Sequence, residues 1–226
     1  MRSLSMRPAP GLVLTVALVA LASACAGPRP VVRSQPPVDR PADTPPPSGA
    51  PAPACYASLD RLPIEYRPLP PRRTTEGCGF DDGVQLLDIG VPVPGLTAIS
   101  CPAAASLYKW ISEDVQGAAA IHFGSRVVRI QSWGTYSCRP VNSRPGGRLS
   151  EHSYGNAVDI AAFHLENGKV IQVESGWKAG GDETAFLRDV HKAACNRFEI
   201  VIGPDGDAFH RDHLHMDMGP RGPYCR

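Results

Sequence analysis

The sequence carries almost no net charge. Its 23 Lys and Arg residues offset 22 Asp and Glu to leave a formal +1, and that balance argues against electrostatic steering toward nucleic acid or an anionic membrane surface. Long apolar runs are also missing. The best, residues 12–22, falls short of the roughly 20 residues a membrane-spanning helix needs, so the mature chain is not expected to be an integral membrane protein. No internal repeat recurs, which excludes a solenoid or an array. Histidine is scarce, with seven in 226 residues, and for that reason its clustering near the C-terminus is informative.

The N-terminus reads as an export signal over residues 1–24. Arg2 and Arg7 give a positive start, an apolar run follows, and Ala22-Ser23-Ala24 offers small residues for cleavage. Ala22-x-Ala24 suits ordinary cleavage, whereas Leu21-Ala-Ser-Ala-Cys25 is similar to a lipoprotein signal in which the cysteine is lipidated. Removing Cys25 leaves six cysteines, an even set that suits three disulfides in an oxidising compartment. We therefore expect a lipid on Cys25, with no other contact to the membrane, and a periplasmic or cell-envelope location.

Residues 25–54 form the anchor cysteine and a linker. Positions 26–53 hold ten of the 24 prolines and few large apolar residues, a composition that cannot bury a core and gives an extended spacer. Residues 55–226 are one domain's worth of globular sequence. Strands are expected at 84–89, 91–99, 126–132, 157–163, 169–173, 199–202 and 214–218. The strands 157–163 and 169–173 should form a hairpin at Glu166-Asn167-Gly168. Helices are expected at 102–115, where Leu107, Trp110, Ile111 and Val115 share a face, and at 184–198. This pattern predicts an α+β fold, a single domain with a small antiparallel sheet flanked by helices. For the cysteines we expect Cys55–Cys78, Cys101–Cys138 and Cys195–Cys225.

The chemistry concentrates in two segments, Ser150-Glu-His152-Ser-Tyr-Gly155-Asn-Ala157-Val-Asp159 and His210-Arg-Asp212-His213-Leu-His215. Imidazoles with one carboxylate are what zinc takes in catalytic sites, with three protein ligands and one open position. Residues two apart on a strand share a face. His213 and His215 should therefore point the same way, with Asp159 on a neighbouring strand and His152 arriving from the loop before it. His210, five positions before His215, should point to the other face of a regular strand. His122, His164 and His191 lack such company and read as structural or solvated.

The motif Ser150-x-His152-x-x-Gly155-x-Ala157-x-Asp159, followed by His213-x-His215, resembles the zinc fold shared by lysostaphin, D-Ala-D-Ala metallopeptidases and the hedgehog signalling domain. Within that group, residues 55–226 resemble the bacterial extensin-like protein C-terminal family. The likeness rests on Thr135-Tyr-Ser-Cys138-Arg139, on Leu149-Ser-Glu-His-Ser-Tyr-Gly-Asn-Ala-Val-Asp159, and on His210-x-Asp212-His-x-His215. The resemblance implies a hedgehog/D-Ala-D-Ala-peptidase-like fold with zinc ligands His152, Asp159 and His215. It also implies that Arg139 contacts a substrate carboxylate or carbonyl. The related carboxypeptidases carry Glu as general base three residues before the last ligand, where this chain has Asp212. The endopeptidase branch uses the first His of His-x-His, here His213. Strand geometry favours His213, with Asp212 able to orient it through a hydrogen bond.

Together these readings predict an exported zinc hydrolase that cuts amide bonds in peptidoglycan peptides. Two rivals remain, a non-catalytic zinc-stabilised wall-binding module and a structural wall protein.

Overall fold

The computed structural model describes residues 53–226. The export signal, Cys25 and nearly all of the proline-rich linker lie outside the described residues. The chain runs α1 (Pro53–Leu59), β1 (Glu65–Pro68), β2 (Arg72–Arg73), β3 (Gly79–Phe80), β4 (Gly83–Asp88) and β5 (Ile99–Ser100). A long helix follows as α2 (Cys101–Lys109), a π-helical stretch (Trp110–Val115) and α3 (Gln116–Phe123). Then come β6 (Val127–Gly134), β7 (Ala157–Leu165), β8 (Val170–Gln172), α4 (Val173–Gly176), α5 (Gly181–Ala194), β9 (Ile200–Ile202), β10 (Leu214–Asp217) and β11 (Tyr224–Cys225).

The expected α+β class holds, with more sheet than the sequence suggested. A six-stranded sheet runs β11-β9-β10-β7-β6, and β8 pairs with the distal half of β7. A three-stranded sheet, β1-β4-β5, and the two-residue pair β2-β3 lie apart from it. All pairings are antiparallel except β11 with β9. The β7–β8 hairpin turns at Asn167-Gly168 as expected. Gly168 takes φ +87°, which a side chain would resist, and Asn167 Oδ1 accepts from Lys169 N–H at 3.0 Å.

The central strand β7 is buried at every position but His164. One face packs on helices: Phe163 meets Trp110 and Phe186 edge-on with centroids 6.0 and 5.1 Å apart, and Trp110 Nε1–H donates to the Val190 carbonyl at 2.8 Å. A bulge makes this possible. Gln131 faces Ala162 while Ser132 faces Ile160, so Ala161 is an extra residue on β7. The bulge reverses the alternation, so Val158 and Ile160 reach the core before it and Phe163 and Leu165 after it. The residue between the first two, Asp159, is thereby sent to the opposite face. In β10, Leu214 and Met216 belong to the core, which leaves His215 and Asp217 on the side of Asp159.

Several local expectations are corrected. Residues 91–98 form a loop, not a strand, and only Ile99–Ser100 pair with β4. The first long helix continues to Phe123, because Ala118 and Ala119 prolong the buried stripe, and Gly124 ends it at φ +56°. Helix α5 spans Gly181–Ala194 against an expected 184–198. Cys195–Cys225 forms as expected, but the other bridges are Cys55–Cys101 and Cys78–Cys138. The expected pairs joined cysteines near one another in sequence. Instead, Cys55 lies on α1, packed against the start of α2 where Cys101 sits. Cys78 precedes β3 and is tied across 60 residues to the segment after β6.

Candidate metal centre

His152, Asp159 and His215 converge. His152 Nε2 lies 3.2 Å from His215 Nδ1 and 3.1 Å from Asp159 Oδ2, while His215 Nδ1 lies 2.9 Å from Asp159 Oδ1. One ligand atom from each lies within 4.8 Å of the others, and all three residues are buried. Asp159 and His215 are direct cross-strand partners on β7 and β10. His152 comes from a 3-10 turn, Glu151–Tyr154, begun by Ser150, whose Oγ accepts from His152 N–H at 3.4 Å, and ended by Gly155 at φ +65°.

Both imidazoles are oriented by their outer nitrogens. His152 Nδ1–H donates to the Thr135 carbonyl at 2.7 Å, which leaves the Nε2 lone pair aimed at the other two groups. His215 Nε2–H donates to Asp217 Oδ2 at 2.8 Å, which frees Nδ1 in the same way. A carboxylate or carbonyl holding the far nitrogen is the usual support of a metal-binding histidine. Two inward lone pairs beside a carboxylate form the donor set of a divalent metal such as zinc, so the residues fit such an ion.

His215 lies between two carboxylates. Burial disfavours its charge, but Asp159 and Asp217 outweigh that and push its pKa up to about 9. Burial likewise opposes the Asp159 carboxylate, yet His152 and His215 hold its pKa well below the ordinary value. A metal would replace the His215 Nδ1 proton.

The remaining anticipated residues gather around this cluster. His213 Nδ1–H donates to Asp212 Oδ1 at 3.0 Å, and its Nε2 lies 3.6 Å from Asp159 Oδ1. Asp212 thus orients His213. A guanidinium nitrogen of Arg139 is 4.0 Å from Asp159 Oδ2. His210 departs from expectation. It lies in a turn before β10, where strand alternation does not apply, and its ring centroid is 5.2 Å from His213 and 5.5 Å from His215. Its Nδ1 is engaged by Asp207 Oδ1 at 2.8 Å, and it is not among the three converging ligands.

The segment bearing Arg139 is stitched to the turn bearing His152. Ser137 N–H donates to the His152 carbonyl at 3.1 Å, and Ser150 N–H to the Arg139 carbonyl at 3.0 Å. Ser153 Oγ accepts from Arg139 N–H at 3.0 Å and donates to the Arg139 carbonyl at 2.9 Å. The Cys78–Cys138 bridge anchors the same segment. Sequence reasoning missed Thr135, Ser153, Glu151 and Asp217. Asp217 was within reach, since 213, 215 and 217 continue one period of two, but Thr135 acts through its backbone carbonyl, and Ser153 and Glu151 act through side-chain contacts to segments that only the fold brings near, which leave no pattern.

Residues 53–226 match the family described as Extensin-like protein C-terminus. The chain belongs to that family. No curated protein and no solved structure matches it.

In this extensin-like domain the cluster lies in a cleft of about 740 Å³. Arg139, Arg148 and Arg221 bring positive charge to its lining, and Glu151, Asp159 and Asp217 bring negative charge. Glu151 is buried, accepting from Asn156 Nδ2 at 3.1 Å and Arg221 at 3.2 Å. Burial raises its pKa, with help from Asp217. Two consecutive non-glycine residues of the cleft, Asn142 and Ser143, adopt φ +53°. Left-handed backbone at such residues is uncommon and concentrates at functional sites.

Proposed function

We propose that this domain is a zinc-dependent hydrolase of the bacterial cell envelope that cuts amide bonds in peptidoglycan peptides. In this reading the fold is of the hedgehog/D-Ala-D-Ala-peptidase kind, and the chain is exported and held at the membrane through a lipid on Cys25. The observation that carries the reading is the convergence of His152 Nε2, His215 Nδ1 and the Asp159 carboxylate, each imidazole having its far nitrogen already engaged.

Zinc on these three residues would supply Lewis acidity and bring the ionisation of water down to near neutral pH. His213 is the proton carrier. With Nδ1–H held by Asp212, its Nε2 is free to accept the proton of the attacking water and return it to the departing nitrogen as the C–O bond forms and the C–N bond breaks. Arg139, with a guanidinium nitrogen 4.0 Å from Asp159, would hold a peptide carboxylate or the carbonyl oxygen as charge builds on it.

The test is digestion of purified muropeptides by the zinc-loaded domain. His213→Ala should lower cleavage by about 10²–10⁴-fold while retaining zinc, and Asp212→Asn should lower it less. His152→Ala and His215→Ala should lose the metal. No cleavage of D,D- or L,D-linked muropeptides by the wild type, with zinc bound, would assign the domain to wall binding without hydrolysis.

A further inference from the structure

The cleft has a second feature that amide hydrolysis does not use. Of the chain's fifteen aromatic residues, Trp133, Phe209 and Tyr224 are the exposed ones, at 51%, 50% and 45%, and all three line the cleft of the metal centre. Single exposed apolar residues are ordinary. Here every strongly exposed ring lines one cleft.

The backbone aims two of these residues. Trp133 is the extra residue of a second bulge, since Ser132 faces Ile160 and Gly134 faces Asp159, and bulges re-aim side chains beside sites. Its ring centroid lies 5.0 Å from that of His213. The backbone at Phe209 is tied by its N–H donating to Asp207 Oδ1 at 2.8 Å, and the Arg144 guanidinium lies 5.8 Å from its ring centroid.

We propose that these rings stack on the sugar rings of a glycan, so that the domain binds the saccharide that carries the peptide it would cut. The glycan's identity rests on the hydrolase reading; the sugar chemistry rests on the cleft itself. A pyranose presents C–H bonds on its faces and hydroxyls around its edge. The negative face of an aromatic ring attracts the former, and Asn142, Ser143 and Arg148, in the same lining, offer polar partners to the latter. A lipid chain or an apolar peptide would strand those polar groups. For a nucleic acid, the positive charge of Arg139, Arg148 and Arg221 in the lining is offset by Glu151, Asp159 and Asp217, on a chain of net charge +1, so the cleft offers phosphates no net attraction.

The experiment is calorimetric titration of the zinc-loaded domain with a peptide-free N-acetylglucosamine tetramer. Wild type should bind saturably, and Trp133→Ala and Phe209→Ala should each weaken binding about tenfold, with Trp133→Phe recovering most of the loss. Both side chains are half exposed, so the alanine variants should fold, and retained zinc confirms it. Absence of saturable binding by the wild type, or binding unchanged in both alanine variants, overturns the proposal. Tighter binding of a thymidine oligonucleotide than of the tetramer also overturns it and gives the rings to bases. The hydrolase reading is tested separately. Tetramer binding without muropeptide cleavage keeps the sugar site and removes the hydrolase. Equal kcat/KM for a stem peptide with and without its disaccharide, together with no tetramer binding, does the reverse.

Discussion

Asp217→Asn tests the proposed metal centre at its support while leaving all three proposed ligands in place. Asp217 uses both oxygens: Oδ2 accepts from His215 Nε2–H at 2.8 Å and Oδ1 accepts from Gly219 N–H at 2.7 Å. Asparagine has one oxygen for two donors. If the oxygen stays with Gly219, the amide NH₂ faces His215, and the imidazole must move its proton to Nδ1, the atom meant for the metal. If the oxygen turns to His215, the buried Gly219 N–H loses its partner, at about 1–3 kcal/mol. The loop cannot relax easily, since a Cβ on Gly219 would lie 2.7 Å from the Glu151 carboxyl, so close is the backbone to it. The first outcome lowers zinc affinity by about 10–100-fold, the usual effect of removing such a support, and the second lowers the unfolding free energy instead. The assay is zinc competition against a chromophoric chelator. It should be run at pH 9 as well as pH 7, because Asp217 also helps hold the competing proton on His215 and so partly masks its own contribution at neutral pH. Wild-type zinc affinity in Asp217→Asn at pH 9, together with wild-type unfolding free energy, would refute the assignment of His215 Nδ1 as a ligand oriented by Asp217.

Three further outcomes are expected. In the metal-free protein the stability contributed by the raised pKa of His215 is full below about 6.5 and lost as pH rises through about 9. Zinc uptake at pH 7 should therefore release close to one proton from this residue, seen as a buffer-dependent binding enthalpy, and affinity should rise with pH up to about 9; a buffer-independent enthalpy would contradict this. Replacing Cys78 and Cys138 by serine opens a 60-residue loop and should cost about 4 kcal/mol of unfolding free energy in the chain-entropy account, read by denaturant titration; the loss should extend to muropeptide cleavage, because the bridge anchors the segment bearing Arg139. Burial, aided by Arg188, lowers the pKa of His191, so its contribution to stability is present above about 6.5 and lost as pH falls below that value; His191→Gln should flatten the acid side of the melting-temperature profile, and an unchanged profile would count against it.

The grouping of His152, Asp159, His213 and His215 was legible in the sequence because these residues obey local periodicity. His213 and His215, two apart, share a strand face wherever that strand is placed, and the segment from Ser150 to Asp159 holds a turn-borne histidine and a strand carboxylate within ten residues. The α+β class and the hairpin at Asn167-Gly168 followed from equally local patterns. The tertiary structure decided what depends on contacts between distant segments. Cys55 pairs with Cys101, and Cys78 with Cys138, because α1 packs on α2 and the β2–β3 pair meets the strand end after Gly134, which no spacing encodes. The Thr135 carbonyl sets the tautomer of His152 from 17 residues away through backbone alone. His210 enters the cleft because its chain turns where a strand was assumed. The bulges at Ala161 and Trp133 leave Asp159 facing His152 and His215 and Trp133 facing the cleft, and an extra residue in a ladder is defined only once the partner strand is in place.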